Sequence, residues 1–591
     1  MVIPGLNPTT IRQHTTPQSF QRGHSYYQGG AVISLVQRGT MLQAEVEGSA
    51  YEPFRITIHC DPGGVRDVVC TCPYDGDGWC KHIVAALLAC VHEPDRIEQR
   101  PSLEQLLEPL TREQLQSVLR TLATEHPELG DAIAGQITLL QATPTSEKLP
   151  RSARRTTVDP KPFRRQVQQI LQSAAGSWDD EPALEKIRGV LQKAQDFLKH
   201  GDADNAVVIL EALTAAYVEG WMNLDGSSGA SGDFFQELDV LWAEALLSTE
   251  LTKERYADWR AKVEAWQGAV EEYGIENAFA MSTTALEQGW HYPPLKRVLQ
   301  GEIPDTGAWE GEAPEYADEL ADIRLRILAR QGRYQEYLYV AEAEGQMAQY
   351  LTMLVQVGRV EEAVEQALQR MSATDEALAL AKALRERGEL DHALRIAEHG
   401  LTLDGKAKHQ LASWTSELAQ SLGHPEQALH ATIIAFQESP SLNDYLKARD
   451  LAGDQQWPVL RQTLLAGLRK QRDLFALDAQ VEVFLHEKLL DDAIAVVDKV
   501  SSYHATTVHK VMDAAIETRP EWVIKNACQR AEGIMNEGKA EYYHAAIDWL
   551  KQARTAYHRS GRVQEWEAYA NQLLQRHARK YKLRGLLQHL E

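Results

Sequence analysis

The chain has 591 residues, of which 44% are hydrophobic and 25% are charged, and its formal net charge is −23 at pH 7. This composition excludes an intrinsically disordered chain and predicts several domains or one extended array. The first residues lack a basic segment followed by an apolar one, and no apolar run approaches the roughly 20 residues that span a bilayer. We therefore expect a cytoplasmic protein that does not enter a membrane.

The placement of the cysteines also indicates a reducing compartment. Five of the six cysteines lie between positions 60 and 90, and the sixth, Cys528, is isolated. A secreted disulfide framework spreads paired cysteines through a small domain, whereas a tight cluster in a large chain is typical of metal binding.

The residues before this cluster alternate as strands do. In residues 41–48 apolar side chains occupy every second position, and residues 54–58 repeat the pattern. Residues 31–37 and 65–70 are two further candidates, and turn-forming residues separate the four segments. The sequence predicts an antiparallel meander of four strands.

Cys70, Cys72, Cys80 and His82 form a complete set of zinc ligands. Three thiolates and one imidazole suit a closed tetrahedral zinc site better than a site for a hard cation. Residues two apart on a strand point the same way, so Cys70 and Cys72 can reach one ion. Residues 81–92 have the apolar stripe of a helix, which places Cys80 and His82 at its start. Zinc would therefore join a strand end to a helix start.

The remaining cysteines of the cluster have simpler interpretations. Cys60 follows a strand and could compete as a ligand, but a small buried hydrophobic residue is the better interpretation. Cys90 lies on the apolar stripe of the helix and is assigned to the core. For the four ligands themselves, the alternative is a set of buried structural cysteines beside an unrelated histidine. Their spacing favours the metal site.

The pattern Cys-x-Cys, seven residues, then Cys-x-His resembles the SWIM-type zinc finger. The resemblance covers all four ligands, the strands before them and the helix after them, and the stretch that begins at Phe20 looks like the lead-in of bacterial stand-alone members. It implies a zinc cofactor and a finger that binds DNA or protein. It also implies that the chain could accompany a helicase-type ATPase, as some bacterial members do.

Two segments follow the predicted finger. Residues 101–140 have helical spacing, with a capped start at Thr111. Residues 147–165 carry a net charge of +5 and three prolines, which indicates a mobile basic linker. We therefore expect a zinc module (residues 1–92), a short helical region (93–146), a basic linker (147–165) and a helical repeat domain (166–591).

A short phrase recurs in the long helical remainder. A turn residue, usually glycine, is followed five positions later by a small or aromatic residue. The phrase starts at Gly332, Gly358, Gly388 and Gly423, and less cleanly at Lys488 and Gly561. The first four copies are 26, 30 and 35 residues apart, close to the period of helix-turn-helix repeats. The sequence predicts a mainly α fold that ends in a tetratricopeptide-like α-solenoid, with an irregular helical bundle as the alternative.

Charge and motifs bear on function. Residues 166–550 carry a net charge of −28, which repels phosphate, so the natural partner of the repeats is another protein. The chain lacks the Gly-x-x-x-x-Gly-Lys-Ser/Thr, His-Glu-x-x-His and Gly-x-Ser-x-Gly motifs. We therefore expect a protein that is not an enzyme.

The leading hypothesis is a zinc-binding scaffold whose finger contacts nucleic acid or a protein partner. Any DNA contact would use the basic residues Arg38, Arg55, Arg66, Lys81, Arg151, Arg154, Arg155, Arg164 and Arg165. One alternative is a protein-interaction adaptor in which zinc is only a structural staple. The other is an accessory subunit of a helicase-type ATPase.

Overall fold

The chain contains two compact units. The described residues of this computed structural model are 3–48, 53–74, 76, 78–125, 158–175, 179–224, 229–501 and 504–590. The first unit comprises Met1–Ser102, Ala373–Asp375 and Ala397–Glu591, and the second unit comprises Leu103–Ser372 and Glu376–Ile396.

The first unit begins with a small sheet. Its strands are β1 (Val32–Arg38), β2 (Met41–Val46), β3 (Phe54–Asp61), β4 (Gly64–Cys70) and β5 (Glu98–Arg100). The first four form the predicted antiparallel meander, and β5 pairs in parallel with β1 at the other edge. Strand β5 was not predicted, because its three residues are exposed and polar and give no apolar alternation.

Three helices pack with this sheet. Strands β1–β5 and these three helices together are called the sheet module. They are α1 (Pro8–Gln13), α2 (Pro17–Gln28) and α3 (Lys81–His92). Helix α3 has the predicted bounds and packs on the inner face of the sheet, where Leu42, Val46 and Ile56 are buried. Helix α2 packs so closely on α3 that a Cβ at Gly23 would lie only 2.5 Å from the Cβ of Val84.

The rest of the described chain is helical. Up to residue 400 the helices are α4 (Leu103–Leu107), α5 (Arg112–Glu125), α6 (Lys161–Ala174), α7 (Glu181–Lys199), α8 (Ala203–Gly220), α9 (Ala230–Ser248), α10 (Lys253–Glu271), α11 (Ala280–Gln288), α12 (Pro293–Leu299), α13 (Ala317–Arg330), α14 (Tyr334–Ala343), α15 (Met347–Gln356), α16 (Val360–Arg370), α17 (Thr374–Glu386) and α18 (Leu390–Gly400). After residue 400 they are α19 (Lys408–Ser421), α20 (Pro425–Glu438), α21 (Leu442–Lys470), α22 (Leu477–His486), α23 (Leu490–Val497), α24 (Ala505–Ala515), α25 (Pro520–Glu537), α26 (Tyr543–Arg559), α27 (Val563–Arg576) and α28 (Tyr581–Gln588). None of these helices combines the length and the apolar character that crossing a bilayer demands.

Most of these helices pack on their neighbours in sequence, as in an α-solenoid. The predicted fold class is confirmed: a mainly α chain in which a small sheet-and-helix module precedes a long series of helix-turn-helix repeats.

The recurring phrase forms the turn between two helices. Its first residue has a positive φ of 69°, 84°, 84° and 81° at Gly332, Gly358, Gly388 and Gly423. In each copy the following N–H donates to a carbonyl five residues earlier, as Arg359 does to Leu354 at 2.8 Å. This bond is typical of a Schellman cap, which needs a left-handed residue. The small residues Ala363, Ala393 and Ala428 are fully buried where the next helix begins.

Lys488 occupies the glycine position in a less regular copy. Its φ is 57°, and the N–H of Leu489 donates to the carbonyl of Phe484 at 2.8 Å. Ala493, five residues after the lysine, is fully buried. This copy therefore has the same turn. Here a residue that carries a Cβ adopts the left-handed conformation, at a cost of about 1–2 kcal/mol.

The sheet module contacts the later helices of the first unit directly. Nε2 of His14 lies 2.9 Å from Oε1 of Glu417 in α19. A Cβ at Gly5 would lie 2.7 Å from Oγ of Ser421, so glycine permits the approach of the N-terminal residues to the end of α19. The module and the helices after residue 400 are therefore joined by close contacts between residues far apart in sequence.

The predicted basic linker lies mainly outside the described residues, which omit 147–157. The structure places its last five residues in α6, so the helix starts earlier than expected. Pro162 lies in the first turn of that helix, where its missing N–H costs no hydrogen bond. Pro162 is therefore compatible with the start of a helix as well as with a linker.

Candidate metal centre

The end of β4 positions the first two predicted ligands. Cys70 is the last residue of β4 and pairs with Ile56 on the inner face of the sheet. Cys72 lies two residues further along the chain. Between them, Thr71 makes a different contact, because its hydroxyl accepts the N–H of Arg55 at 3.0 Å. The two thiols are thus supplied by the strand end, as the spacing predicts.

The start of α3 positions the other two ligands. Cys80 is the N-cap residue of this helix, and its side chain makes no capping hydrogen bond. Its carbonyl accepts the N–H of Val84 at 3.1 Å, so the backbone is already helical while the thiol remains outside the helix. Cys80 and His82 are each 3% exposed, which places half of the ligand set in the core.

The four donor atoms converge at distances that suit zinc. One ligand atom from each of Cys70, Cys72, Cys80 and His82 lies within 4.8 Å of all the others. Nδ1 of His82 is 3.9 Å from Sγ of Cys70 and 3.9 Å from Sγ of Cys80. A tetrahedral zinc site places nitrogen and sulfur about 3.6 Å apart, so small shifts would complete the site. Nδ1 is therefore the nitrogen that would bind the ion.

The thiols differ in acidity before a metal binds. A hydrogen bond with Cys70, helped by His82, lowers the pKa of Cys80 to about 4. The same hydrogen bond and burial raise the pKa of Cys70, and burial raises the pKa of Cys72. The metal-free cluster thus favours one thiolate, and zinc must displace the protons of the other two thiols. This donor set fits a zinc ion.

Aromatic packing holds the imidazole of His82. Phe54 stacks on it with ring centroids 4.4 Å apart, and Tyr26 meets it edge-on at 5.5 Å. Nε2 of His82 is buried and has no hydrogen-bond partner among the described residues. A metal-bound histidine usually donates its second N–H to an acceptor. Within the described part of this site, ring contacts orient the ligand instead.

Trp79, just before Cys80, packs on the turn between α1 and α2. Trp79 stacks on His14 with centroids 4.4 Å apart, and its N–H donates to the carbonyl of His14 at 2.6 Å. The hydroxyl of Thr15 donates to the carbonyl of Trp79 at 2.9 Å. The ligand-bearing loop is therefore held by the turn between α1 and α2. The sequence reasoning missed this role of Trp79 and the close packing at Gly23, since neither residue has a ligand spacing.

The other cysteines lie outside the ligand cluster. Cys90 is 7% exposed in the module core, and burial raises its pKa to about 12. Cys60 packs against the same core and is half-buried. Among the described residues, Cys70, Cys72, Cys80 and His82 are the one group of Cys, His, Asp and Glu side chains clustered closely enough to hold a metal ion.

The sheet contributes three of the residues predicted to contact nucleic acid. Arg38 donates to the carbonyl of Pro101 at 3.0 Å. Arg55 is exposed and lies opposite Glu45 in the register of β2 and β3. Arg66 is exposed on β4. The positive charge of these three arginines is not separated from acidic side chains, since Glu45 lies opposite Arg55.

The remaining predicted contacts are dispersed. Nζ of Lys81 lies 4.6 Å from the ring centroid of Tyr26. Arg164 pairs with Glu219 at 2.6 Å, and Arg165 is exposed on α6 in the second unit. Arg151, Arg154 and Arg155 lie outside the described residues. The described residues therefore leave the predicted nucleic-acid surface untested.

Comparison with known families identifies the zinc site. The SWIM zinc finger family matches residues 56–91, a span that contains all four ligands. The segment runs from β3 through the ligand loop to the end of α3. The chain is thus a zinc-binding protein with a three-cysteine, one-histidine site. More specifically, it carries a SWIM zinc finger.

Similar proteins include zinc finger SWIM domain-containing protein 8 of Mus musculus, which is 24% identical over 372 residues covering 50% of this chain and 20% of that protein. The Homo sapiens protein of the same name is 23% identical with the same coverage. The Drosophila melanogaster homologue is 30% identical over 138 residues, or 22% of this chain and 6% of that protein. The chain spans about a fifth of the length of the first two relatives.

Two solved structures also align with the chain. A circular tandem repeat protein with novel repeat topology has 17% identity and a TM-score of 0.18, and the alignment covers 73% of this chain and 98% of that one. The APC/C hetero-tetramer Cut9-Hcn1 has 14% identity and a TM-score of 0.16, with 82% and 97% coverage. At these TM-scores neither likeness carries an argument about the fold.

Proposed function

We propose that this protein is a non-catalytic scaffold that binds other proteins through its helical repeats. Its SWIM finger acts as a zinc-dependent staple that holds the sheet module together within the first unit. Zinc supplies folding free energy in this proposal and takes part in no reaction.

The closed ligand set is the observation that carries the proposal. Cys70, Cys72, Cys80 and His82 supply four protein donors, which is the full number for tetrahedral zinc. A catalytic zinc keeps one position open for water or substrate. With Cys80 and His82 buried in the module core, the ion would join β4 to α3. This arrangement supports a structural role.

The repeats supply the binding surface in this proposal. Stacked helix pairs form extended surfaces whose exposed residues can vary without changing the buried contacts. Residues 166–550 carry a net charge of −28, so their field attracts basic protein surfaces and repels nucleic acid. These two properties favour protein partners for the helical part of the chain.

The nucleic-acid version of the hypothesis has less support. On the outer face of the sheet, Arg38, Arg55 and Arg100 share the surface with Glu45, Asp67 and Glu98. Three bases and three acids give this face no excess positive charge, whereas binding to phosphates needs such an excess. DNA binding by the finger is therefore not part of the proposal and would be a contrary result of the experiment that follows.

Affinity purification of the intact protein from its native host, with and without nuclease, tests the proposal. We expect partner proteins that nuclease does not remove and that cross-link to the helical repeats. Cys72→Ser should lower the bound zinc measured by elemental analysis without abolishing this capture. Cys528→Ser, which changes a cysteine outside the site, is the matched control.

Two results would contradict the proposal. One is the loss of all partners on nuclease treatment, together with salt-sensitive binding of the purified protein to DNA. The other is full zinc content and an unchanged sheet module in the Cys72→Ser protein, which would show that the four residues are not the ligands.

A further inference from the structure

Strand β4 forms a long open edge of the sheet. The strand order is β4-β3-β2-β1-β5, so β4 pairs with β3 on one side and with no described strand on the other. The opposite edge is β5, which has three residues where β4 has seven. An edge strand presents N–H and C=O groups that a strand from another chain can bond. Since the rest of the described chain is helical, β4 is the longest such edge that these residues provide.

The register shows which backbone groups of β4 face away from β3. The N–H of Thr71 donates to the carbonyl of Arg55 at 3.0 Å, which makes these residues a hydrogen-bonded pair. Such pairs recur at every second residue of an antiparallel ladder, so the backbone of Val69 also bonds towards β3. The N–H and C=O groups of Val68 and Cys70 therefore point away from the sheet, and they are called the outward groups. Among the described residues they have no hydrogen-bond partner.

The second half of β4 is accessible, whereas its start is covered. A Cβ at Gly64 would lie 2.8 Å from the carbonyl oxygen of Pro4 and 3.2 Å from Oγ of Ser421, so other parts of the first unit lie against the edge there. A register shift just before Asp67 also interrupts the ladder. Beyond the shift, Asp67 and Val69 are exposed. The open stretch is thus short and starts at a fixed point, which suits one added strand in one register.

The side chains of this open stretch indicate which residues an added strand would carry. Asp67 and Val69 lie on the outer face of the sheet, opposite His59 and Thr57. An added strand would place every second side chain on the same face. Val69 is 57% exposed, so a β-branched or aromatic neighbour would bury apolar surface there, and a lysine or arginine two residues away would lie beside Asp67. The matching sequence is therefore an extended segment with an apolar and a basic residue two positions apart.

Long-range charge also favours a basic segment as the occupant. The chain has a net charge of −23, so it attracts a positively charged segment and repels a nucleic acid. A second copy of the chain carries the same charge and is repelled as well. Arg66 is the one base in β4, and it lies at the register shift, before the stretch that would pair. A basic partner segment therefore agrees both with the field of the chain and with the acid on the outer face.

We infer that the open stretch of β4 binds an extended segment of a partner protein, which becomes a sixth strand of the sheet. The backbone of the segment would bond the outward groups of Val68 and Cys70, as in other complexes formed by strand addition. An apolar side chain of the segment would contact Val69, and a lysine or arginine would pair with Asp67. This surface is separate from the helical repeats, which bind partners in the proposed function.

Selection of random ten-residue peptides on the intact zinc-loaded protein tests this inference. The selected peptides should carry Val, Ile or an aromatic residue two positions from Lys or Arg. Hydrogen exchange measured by mass spectrometry should show that these peptides slow exchange in residues 66–72 more than in the helical repeats. Their affinity, measured by fluorescence anisotropy, should fall moderately as salt is added.

Three variants of the open stretch should weaken this binding. Val68→Pro removes an outward N–H, and proline is tolerated in an edge strand where its nitrogen faces out, so the affinity should fall by about tenfold or more. Val69→Lys removes the apolar contact and repels a basic segment, with a loss of about tenfold. Asp67→Asn removes an exposed ion pair and should lower the affinity by about twofold to fivefold.

Matched controls separate the edge from the charge of the sheet and from folding. Gln43→Lys adds the same charge as Val69→Lys on the outer face of β2, two strands away from the edge. Glu45→Gln is the corresponding control for Asp67→Asn. Both control proteins should bind the selected peptides as the unchanged protein does. Zinc content and melting temperature should be equal in the edge variants and the controls, which would show that the sheet module remains folded.

Three results would overturn the inference. The selected peptides could protect the helical repeats and leave β4 unchanged, or they could bind the three edge variants as tightly as the unchanged protein. Sedimentation could also show a dimer that Val68→Pro dissociates, which would make a second copy the occupant.

Capture of cellular partners separates this inference from the proposed function. If the Val69→Lys protein still captures partners through its repeats while no peptide protects β4, the scaffold function stands and the edge assignment fails. The absence of captured partners for the unchanged protein and for every variant would count against the scaffold function itself.

Discussion

The sheet module and the helical repeats are stabilised in different ways. The core of the module joins α2, α3 and the sheet, and its ligands lie on a strand end and a helix start that are separated by a loop. A core of this size gains much from a structural metal. In the repeats most helices pack on their sequence neighbours, so stability is approximately a sum of local terms. One change should therefore affect the whole module but only part of the repeats.

Removal of zinc should produce the largest difference between the two regions. Chelation or Cys80→Ser should unfold the sheet module, because structural zinc contributes about 10–16 kcal/mol in small zinc-binding peptides. Hydrogen exchange should then show lost protection in β1–β4 and α3, with the second unit unchanged. Cys528→Ser should leave both regions protected. Equal loss of protection in the second unit would contradict this separation.

Gly23→Ala should destabilise the module by about 1–3 kcal/mol. The new Cβ would lie 2.5 Å from the Cβ of Val84 and 2.7 Å from the carbonyl oxygen of Lys81, so α2 and α3 must separate. Thermal denaturation of the zinc-loaded protein measures the change. Gly189→Ala, where the new Cβ meets no atom within 4 Å, should instead be stabilising by about 0.5–1 kcal/mol. A neutral Gly23→Ala would mean that the helices are less closely packed.

Changes at the repeat turns should have opposite signs at Gly388 and Lys488. Gly388→Ala forces a Cβ into a turn with φ of 84° and should cost about 1–2 kcal/mol. Lys488→Gly removes a Cβ at φ of 57° and should stabilise the chain by up to about 1 kcal/mol. Chemical denaturation gives the two free energies of unfolding, and hydrogen exchange should confine each effect to adjacent helices. Changes of the same sign would rule out a shared turn.

The smallest effect is expected where the module meets α19. His14→Phe keeps a ring that can stack on Trp79 and removes the contact with Glu417, a partly exposed pair that is worth about 0.2–1 kcal/mol. Hydrogen exchange of residues 408–421 should increase slightly, while zinc content stays unchanged. His291→Ala, a change at an exposed histidine of the second unit, should leave residues 408–421 unaffected. A loss of zinc on His14→Phe would show that the contact with Glu417 supports the site more strongly than expected.

Local patterns made part of the molecule predictable. The bounds of α3 agree with the prediction, because its apolar stripe and the ligands at its start are features of neighbouring residues. The capped start at Thr111 is also confirmed: the N–H of Gln114 donates to the Thr111 hydroxyl at 3.3 Å, and Oε1 of Gln114 accepts the N–H of Thr111 at 2.8 Å. The repeat turns were recognised for the same reason, since a Schellman cap involves only adjacent residues.

By itself, the sequence determined the ligand set, the meander, the helix after it and the repeat turns, because each depends on spacing along a few residues. Tertiary structure alone decided that β5 pairs with β1, that α2 approaches α3 at Gly23 and that His14 meets Glu417. It also left β4, and not β1, as a long edge of the sheet. No local sequence pattern encodes which of these elements meet. The contacts follow from packing and charge pairing in the folded chain.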